Sequence, residues 1–184
     1  SLSAALCCKA IKLHTNNADG EIIIWTHATD SVEKESFMAD KWITCEYDGW
    51  KVELSLSLLG EMQADREKAL PNETGGVLIG AYDISRKLIY VVSQVRAPED
   101  SISSPTSFIR GCVNLPERLK YIYETTLDNL TYIGEWHSHP SANTQRSTDD
   151  IKLHKAIVDY NRENCLPGCM MILGTNRFSI YIDE

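Results

Sequence analysis

His137 and His139 stand one residue apart in the run GEWHSHPSANTQRSTDD, residues 134–150, and a serine and two aspartates follow them. On a strand, alternate side chains share one face, so both imidazoles can aim at one metal ion while Ser138 points away. Pro140 ends that strand. A short polar loop then leads to STDD, where Ser147 opens a helix and Asp150, in the first turn, can fold a carboxylate back toward the imidazoles. Two imidazoles and a carboxylate at about 2.0 to 2.2 Å leave a fourth tetrahedral position for water, the open form of a catalytic zinc centre. Hydrolysis there needs a base to take a proton from the attacking water. Glu73, in ETGG ahead of two glycines that permit close backbone approach, is the candidate.

Each residue also has a plainer reading. A lone histidine pair is more often two ordinary side chains on a half-exposed strand. Ser147, with an acid three residues later, forms a capping box that satisfies free helix amides. Asp149 competes with Asp150 as a ligand and is in any case a favourable charge at a helix N-terminus. Glu73 alone would be an exposed carboxylate at a strand start. His154, one turn beyond Asp150, either supports the site from behind or simply packs. Trp136 faces the core, opposite to Glu135 and His137. His14 and His27 fall outside every motif.

The whole pattern resembles the JAMM signature of the MPN+ metalloproteases. Glu73 comes first, then His137-Ser138-His139-Pro140, then Ser147 with seven residues between it and His139, and Asp150 after two more. The resemblance covers residues from about 50 to 184. It implies an α/β fold of the MPN (JAB, cytidine-deaminase-like) type, with a mixed, mostly antiparallel sheet flanked by helices. It further implies a JAB-type zinc isopeptidase or peptidase that hydrolyses the bond after the C-terminal glycine of a ubiquitin-like protein, in deconjugation or precursor processing. His137, His139 and Asp150 would then hold Zn2+, Glu73 would activate water, and Ser147 would stabilise the tetrahedral oxyanion.

The length resembles that of the prokaryotic JAB branch, whose members occur beside or fused to E1-like domains, antiphage systems included. Ubiquitin-like proteins or their conjugates, and E1-like or E2-like proteins, are the partners this implies. The alternative is a non-catalytic MPN scaffold that binds proteins without metal; such scaffolds typically lack the ligands, and this chain keeps all of them. The H-x-E and P-C-x-x-C of zinc deaminases are absent, as is the H-E-x-x-H of thermolysin-like peptidases.

Several elements must bring these residues together. WKVELS alternates as a strand, and LSLLGEMQADREKAL returns apolar residues at helical spacing until Pro71. GGVLIGAY and KLIYVVSQV around DISRK predict an antiparallel hairpin. APEDSISSPTSFIRGC predicts a long functional loop in which Phe108 and Arg110 could meet a substrate tail. LPERLKYIYETTLDNL and STDDIKLHKAIVDYNREN predict helices, TYIGEWHSH a strand, and CMMILGTNRFSIYIDE closing strands. Residues 1–47 differ: after the turn NNADG, EIIIWTHATD predicts one short strand of an N-terminal arm, the end of a preceding domain, leaving 48–184 as the metalloprotease domain.

Composition narrows the rest. The net charge of −8 argues against a nucleic-acid binder, which needs a basic surface. No apolar run is long enough to span a bilayer and SLSAALCCKA lacks the layout of a secretory signal, so a cytoplasmic protein without membrane partners is expected. The 6 cysteines are irregularly spaced and expected to be reduced. Cys165 and Cys169 could clasp zinc only with two further ligands.

Overall fold

The computed structural model describes residues 41–184, together with the backbone of three earlier strands, β1 (Lys9–Ala10), β2 (Glu21–Ala28) and β3 (Ser31–Met38). The chain divides into two units, Ser1–Lys41 and Trp42–Glu184. In the first, β1, β2 and β3 form an antiparallel sheet in that order, and β2 pairs with β3 from Glu21↔Met38 to Ala28↔Ser31. The strand expected in EIIIWTHATD is β2. The turn NNADG and His14 lie outside the described residues.

The second unit begins with β4 (Trp42–Tyr47) and β5 (Trp50–Ser55), paired antiparallel from Trp42↔Ser55 to Tyr47↔Trp50. The division thus falls at Lys41 rather than at residue 47. Asp48 and Gly49 join the strands with φ of 47° and 79°, the turn that Asp-Gly favours because both central residues need positive φ. There follow α1 (Leu56–Ala69), β6 (Gly75–Asp83), β7 (Leu88–Arg96), β8 (Ile102–Ser104), β9 (Ser107–Ile109), α2 (Leu115–Thr126), β10 (Thr131–Ser138), α3 (Thr148–Arg162), β11 (Gly168–Leu173) and β12 (Phe178–Asp183).

Seven strands form one sheet in the order β12-β11-β10-β6-β7-β5-β4. The β10/β11 and β5/β7 pairs are parallel and the other neighbours antiparallel. Against one face packs α1, whose Leu58, Leu59 and Met62 join Val52, Leu54, Leu78, Trp136 and Met171. Against the other face, Leu115 of α2 meets Val77 and Ile79, and Ile157 of α3 meets Met170 and Ile172. Alternation along β11 explains the split: Cys169, Met171 and Leu173 serve one face, Met170 and Ile172 the other. Helices cover both faces because β6 and β11 are apolar on both. Among the described residues no helix is long and apolar enough to cross a membrane.

The register of β10 shifts against β6 between Tyr132 and Gly134. That bulge lets Ile133 and Trp136, three residues apart, enter the same core cluster. It therefore also decides that His137 faces the α3 side. At Gly134 the neighbouring β11 comes so close that an added Cβ would run into the Cys169 carbonyl oxygen. Gly134→Ala is expected to destabilise the protein by roughly 2–4 kcal/mol, as an overpacked core substitution. Urea unfolding measures this, and a midpoint equal to wild type would contradict the tight β10–β11 approach.

Candidate active site

The predicted residues converge at one end of β10. His137 is the penultimate residue of the strand, paired with Gly75 on β6 and Ile172 on β11, and is buried. His139 lies just past the strand end, with its amide donating to the Leu173 carbonyl at 2.8 Å. Asp150 arrives from the first turn of α3, whose N-cap is Ser147. Ser147 Oγ accepts from the Asp150 amide at 3.2 Å, and Asp150 Oδ2 accepts from the Ser147 amide at 2.7 Å. The capping box thus fixes the carboxylate on the side facing the imidazoles. It leaves the Ser147 hydroxyl proton free of that task.

His137 Nε2 is 3.0 Å from Asp150 Oδ1, and His139 Nε2 is 3.6 Å from Asp150 Oδ2. One ligand atom from each of the three residues lies within 4.8 Å of the others, so among the described residues they form a group that could hold a metal ion. Donor chemistry fits a cation. The Asn143 carbonyl can only accept, so the 2.8 Å contact places the proton of a neutral His139 on Nδ1 and leaves Nε2 bare. His137 Nε2 is buried and, despite its short distance to Asp150, has no aligned hydrogen bond.

Burial pushes the Asp150 carboxyl up, but the His137 and His139 imidazoles and the Ser147 amide overrule it and hold the group well below the usual carboxylate range. Asp150 raises His139 in return, against the opposing effect of burial. Glu73, 7% exposed, is raised first by burial, which outweighs the lowering effect of His139 and His137. A carboxylate moved toward neutrality is better matched to taking and returning a proton.

Glu73 lies just before β6 and is placed by its backbone. Its amide donates to the Ser104 carbonyl at 2.8 Å, and Ser103 Oγ donates to its carbonyl. The next residue, Thr74, is tied to the histidine strand twice: its amide donates to Ser138 Oγ at 3.0 Å, and its carbonyl accepts from the Ser138 amide at 2.6 Å. At Gly75 a Cβ would strike the Trp136 carbonyl oxygen and Phe108. The close approach expected of ETGG is therefore used to bring Glu73 alongside His137.

Glu73, His137, His139, Ser147 and Asp150 line one cavity of about 580 Å³. Phe108 and Arg110 form part of its wall, and Arg110 donates to the buried Glu135 at 2.8 Å. The segment expected to be a loop here carries β8 and β9, a small antiparallel pair. Asp149 is exposed and pairs with Lys152 at 2.8 Å. His154 is buried, with Arg146 donating to its Nδ1 at 2.7 Å and its Nε2 donating to Gly168 O at 3.1 Å, so it holds the loop ahead of Ser147 rather than entering the cavity. Cys165 is exposed and Cys169 buried, and neither belongs to the metal-ligating group. Asn143, whose carbonyl lies 2.8 Å from His139 Nδ1, and Arg66, whose guanidinium donates to the His139 carbonyl at 3.0 Å, carry no motif signal in the sequence.

The ion pair predicts a pH signature for the metal-free protein. Asp150, with its folded pKa depressed, stabilises above the unfolded carboxylate value of about 4 and loses that contribution as pH falls through the folded value. His139, with its folded pKa raised, stabilises fully below the unfolded imidazole value of about 6.5 and loses it as pH rises through the folded value. Melting temperature without metal is expected to peak between about pH 4 and 6.5, and the peak should vanish in Asp150→Ala. The same profile in both proteins would rule the pair out as its source.

A family model described as prokaryotic homologs of the JAB domain matches residues 55–182. The CD-NTase/cGAS isopeptidase of Enterobacter hormaechei subsp. hoffmannii (strain UCI 50) is 33% identical over 146 residues, 78% of this chain and 79% of that protein. Among solved structures, a protein from Desulfitobacterium hafniense aligns with 71% of this chain and 88% of its own at 20% identity and a TM-score of 0.47. A JAB1/MPN domain protein from Archaeoglobus fulgidus aligns with 70% and 87% at 19% identity and a TM-score of 0.42. The chain belongs to the prokaryotic JAB family, as a hydrolase of the isopeptidase type.

Proposed function

We propose that this chain hydrolyses an isopeptide bond between the C-terminus of a conjugated protein and a lysine amine, using one zinc ion held by His137, His139 and Asp150. The observation that carries the reading is the convergence of three ligand atoms within 4.8 Å in a cavity that Glu73 also lines. When bound, zinc supplies a Lewis acid that makes water nucleophilic near neutral pH and polarises the scissile carbonyl. Glu73 takes the proton released by the attacking water on its carboxylate and delivers it to the departing lysine amine. The Ser147 hydroxyl, already accepting from the Asp150 amide, donates its proton toward the oxygen that becomes negative. No side chain forms a covalent bond to the substrate.

The conjugated protein that the JAMM resemblance implies ends in a ubiquitin-like glycine tail. The 33% identical relative is named a CD-NTase/cGAS isopeptidase, and we take a CD-NTase conjugate as the substrate to test first. The cavity that holds the three candidate ligands is also walled by Phe108 and Arg110, side chains that can contact a C-terminal tail. Zinc-loaded protein should release free CD-NTase from a lysine-linked conjugate, resolved by electrophoresis and mass spectrometry. Cleavage of a ubiquitin-like conjugate alone would reassign the modifier.

Two variants separate the roles. Glu73→Gln is expected to keep about one zinc per chain and lose turnover by about 100- to 10,000-fold. Asp150→Ala is expected to lose both zinc and turnover. Elemental analysis beside the cleavage assay reads both, and undiminished turnover in Glu73→Gln would remove Glu73 as the base.

A further inference from the structure

The two histidines are held by different means. His137 lies within β10, between hydrogen-bonded neighbours on β6 and β11, and the sheet sets its backbone. His139 follows Ser138, the last residue of the strand. Three separate contacts hold it there, the first still to the end of β11. Its amide donates to Leu173 O at 2.8 Å and its Nδ1 donates to Asn143 O at 2.8 Å. Its own carbonyl is taken by Arg66.

Arg66 belongs to the last turn of α1 and is 4% exposed. Its Nε donates to His139 O at 3.0 Å, and its Nη2 donates to Pro140 O at 2.7 Å and to Thr175 Oγ1 at 2.9 Å. One planar fork therefore grips two successive carbonyls and anchors them to the turn between β11 and β12. All three acceptors are neutral oxygens. Removing a cation from water is unfavourable, and such hydrogen bonds must offset that. The neighbouring Glu67 and Lys68 remain exposed, so burial is particular to Arg66 and not to this part of the helix.

We infer that Arg66 is a positioning residue for the metal centre: its guanidinium takes over from the sheet at His139, fixing the peptide from which the imidazole projects and so the direction of Nε2. The inference rests on the reading of His137, His139 and Asp150 as ligands. It predicts a sign that simple electrostatics would reverse. A positive guanidinium near a cation site weakens cation binding, so deleting the charge alone would tighten it. Deleting a positioning contact loosens it instead, and partners that orient a ligand typically contribute about 10- to 100-fold in metal affinity.

The test uses the 184-residue protein stripped of metal, with Zn2+ affinity measured by competition against a chromogenic chelator and ligand geometry followed by the visible absorption of bound Co2+. Arg66→Met is expected to bind Zn2+ about 10- to 100-fold more weakly, with altered Co2+ bands. Arg66→Lys, which keeps the charge but not the fork, should lose less. Melting of the metal-free variants identifies those that fold; if Arg66→Met does not, Arg66→Lys decides by the same criteria. A folded variant with wild-type or tighter affinity and unchanged Co2+ bands overturns the inference, even if its melting temperature falls. Wild-type protein that binds no Zn2+ overturns the ligand reading itself, and this inference with it. Metal binding in wild type with unaffected Arg66 variants overturns only the role of Arg66.

Discussion

Lone pairs on two imidazoles and a carboxylate repel one another, and the structure holds three of them together in the wall of one cavity. Asp150 comes within 3.0 Å of His137 Nε2 and 3.6 Å of His139 Nε2. A positive charge has to stand among them. The His137 and His139 imidazoles and the Ser147 amide hold the Asp150 carboxyl low against burial, and Asp150 raises His139 in return. His137 Nε2 stays buried without an aligned partner. A divalent cation answers all three atoms at once.

The rest of the domain keeps that arrangement from relaxing. The bulge at Gly134 sets which face of β10 carries His137, and Gly75 lets β6 approach closely enough for Glu73 to share the cavity. The capping box fixes Asp150, while Arg66, Asn143 and Leu173 fix His139 beyond the sheet. Rigid elements thus supply His137 and Asp150, whereas His139 depends on hydrogen bonds that cross between α1, the loop after β10 and the end of β11.

Much of this was legible in the sequence because local chemistry and global fold agree. Pro71 follows the end of α1, DISRK turns β6 into β7, and Ser147 caps α3, as their residue types require. The histidines could be placed because a two-residue spacing and a strand have the same period. Where the reading fell short, the signal was present but weak or overlooked. Asp48-Gly49 is a hairpin turn, which joins WITCEY to the main sheet instead of an arm. The β8–β9 pair is built from three-residue, serine-rich strands too short to show alternation. Arg66 continues the buried stripe of Leu58, Leu59 and Met62 along α1. A charge on an apolar stripe was the clue, but its acceptors, the His139 and Pro140 carbonyls and Thr175, are far away in sequence and only the fold brings them near.

Crystals of the protein grown with zinc, measured with X-rays on either side of the zinc absorption edge, give the most direct test of the central claim. One anomalous peak is predicted, bounded by Nε2 of His137, Nε2 of His139 and a carboxylate oxygen of Asp150, with Glu73 facing it across the cavity. A peak at the cysteines or on the surface, with density among those three side chains indistinguishable from water, would contradict it.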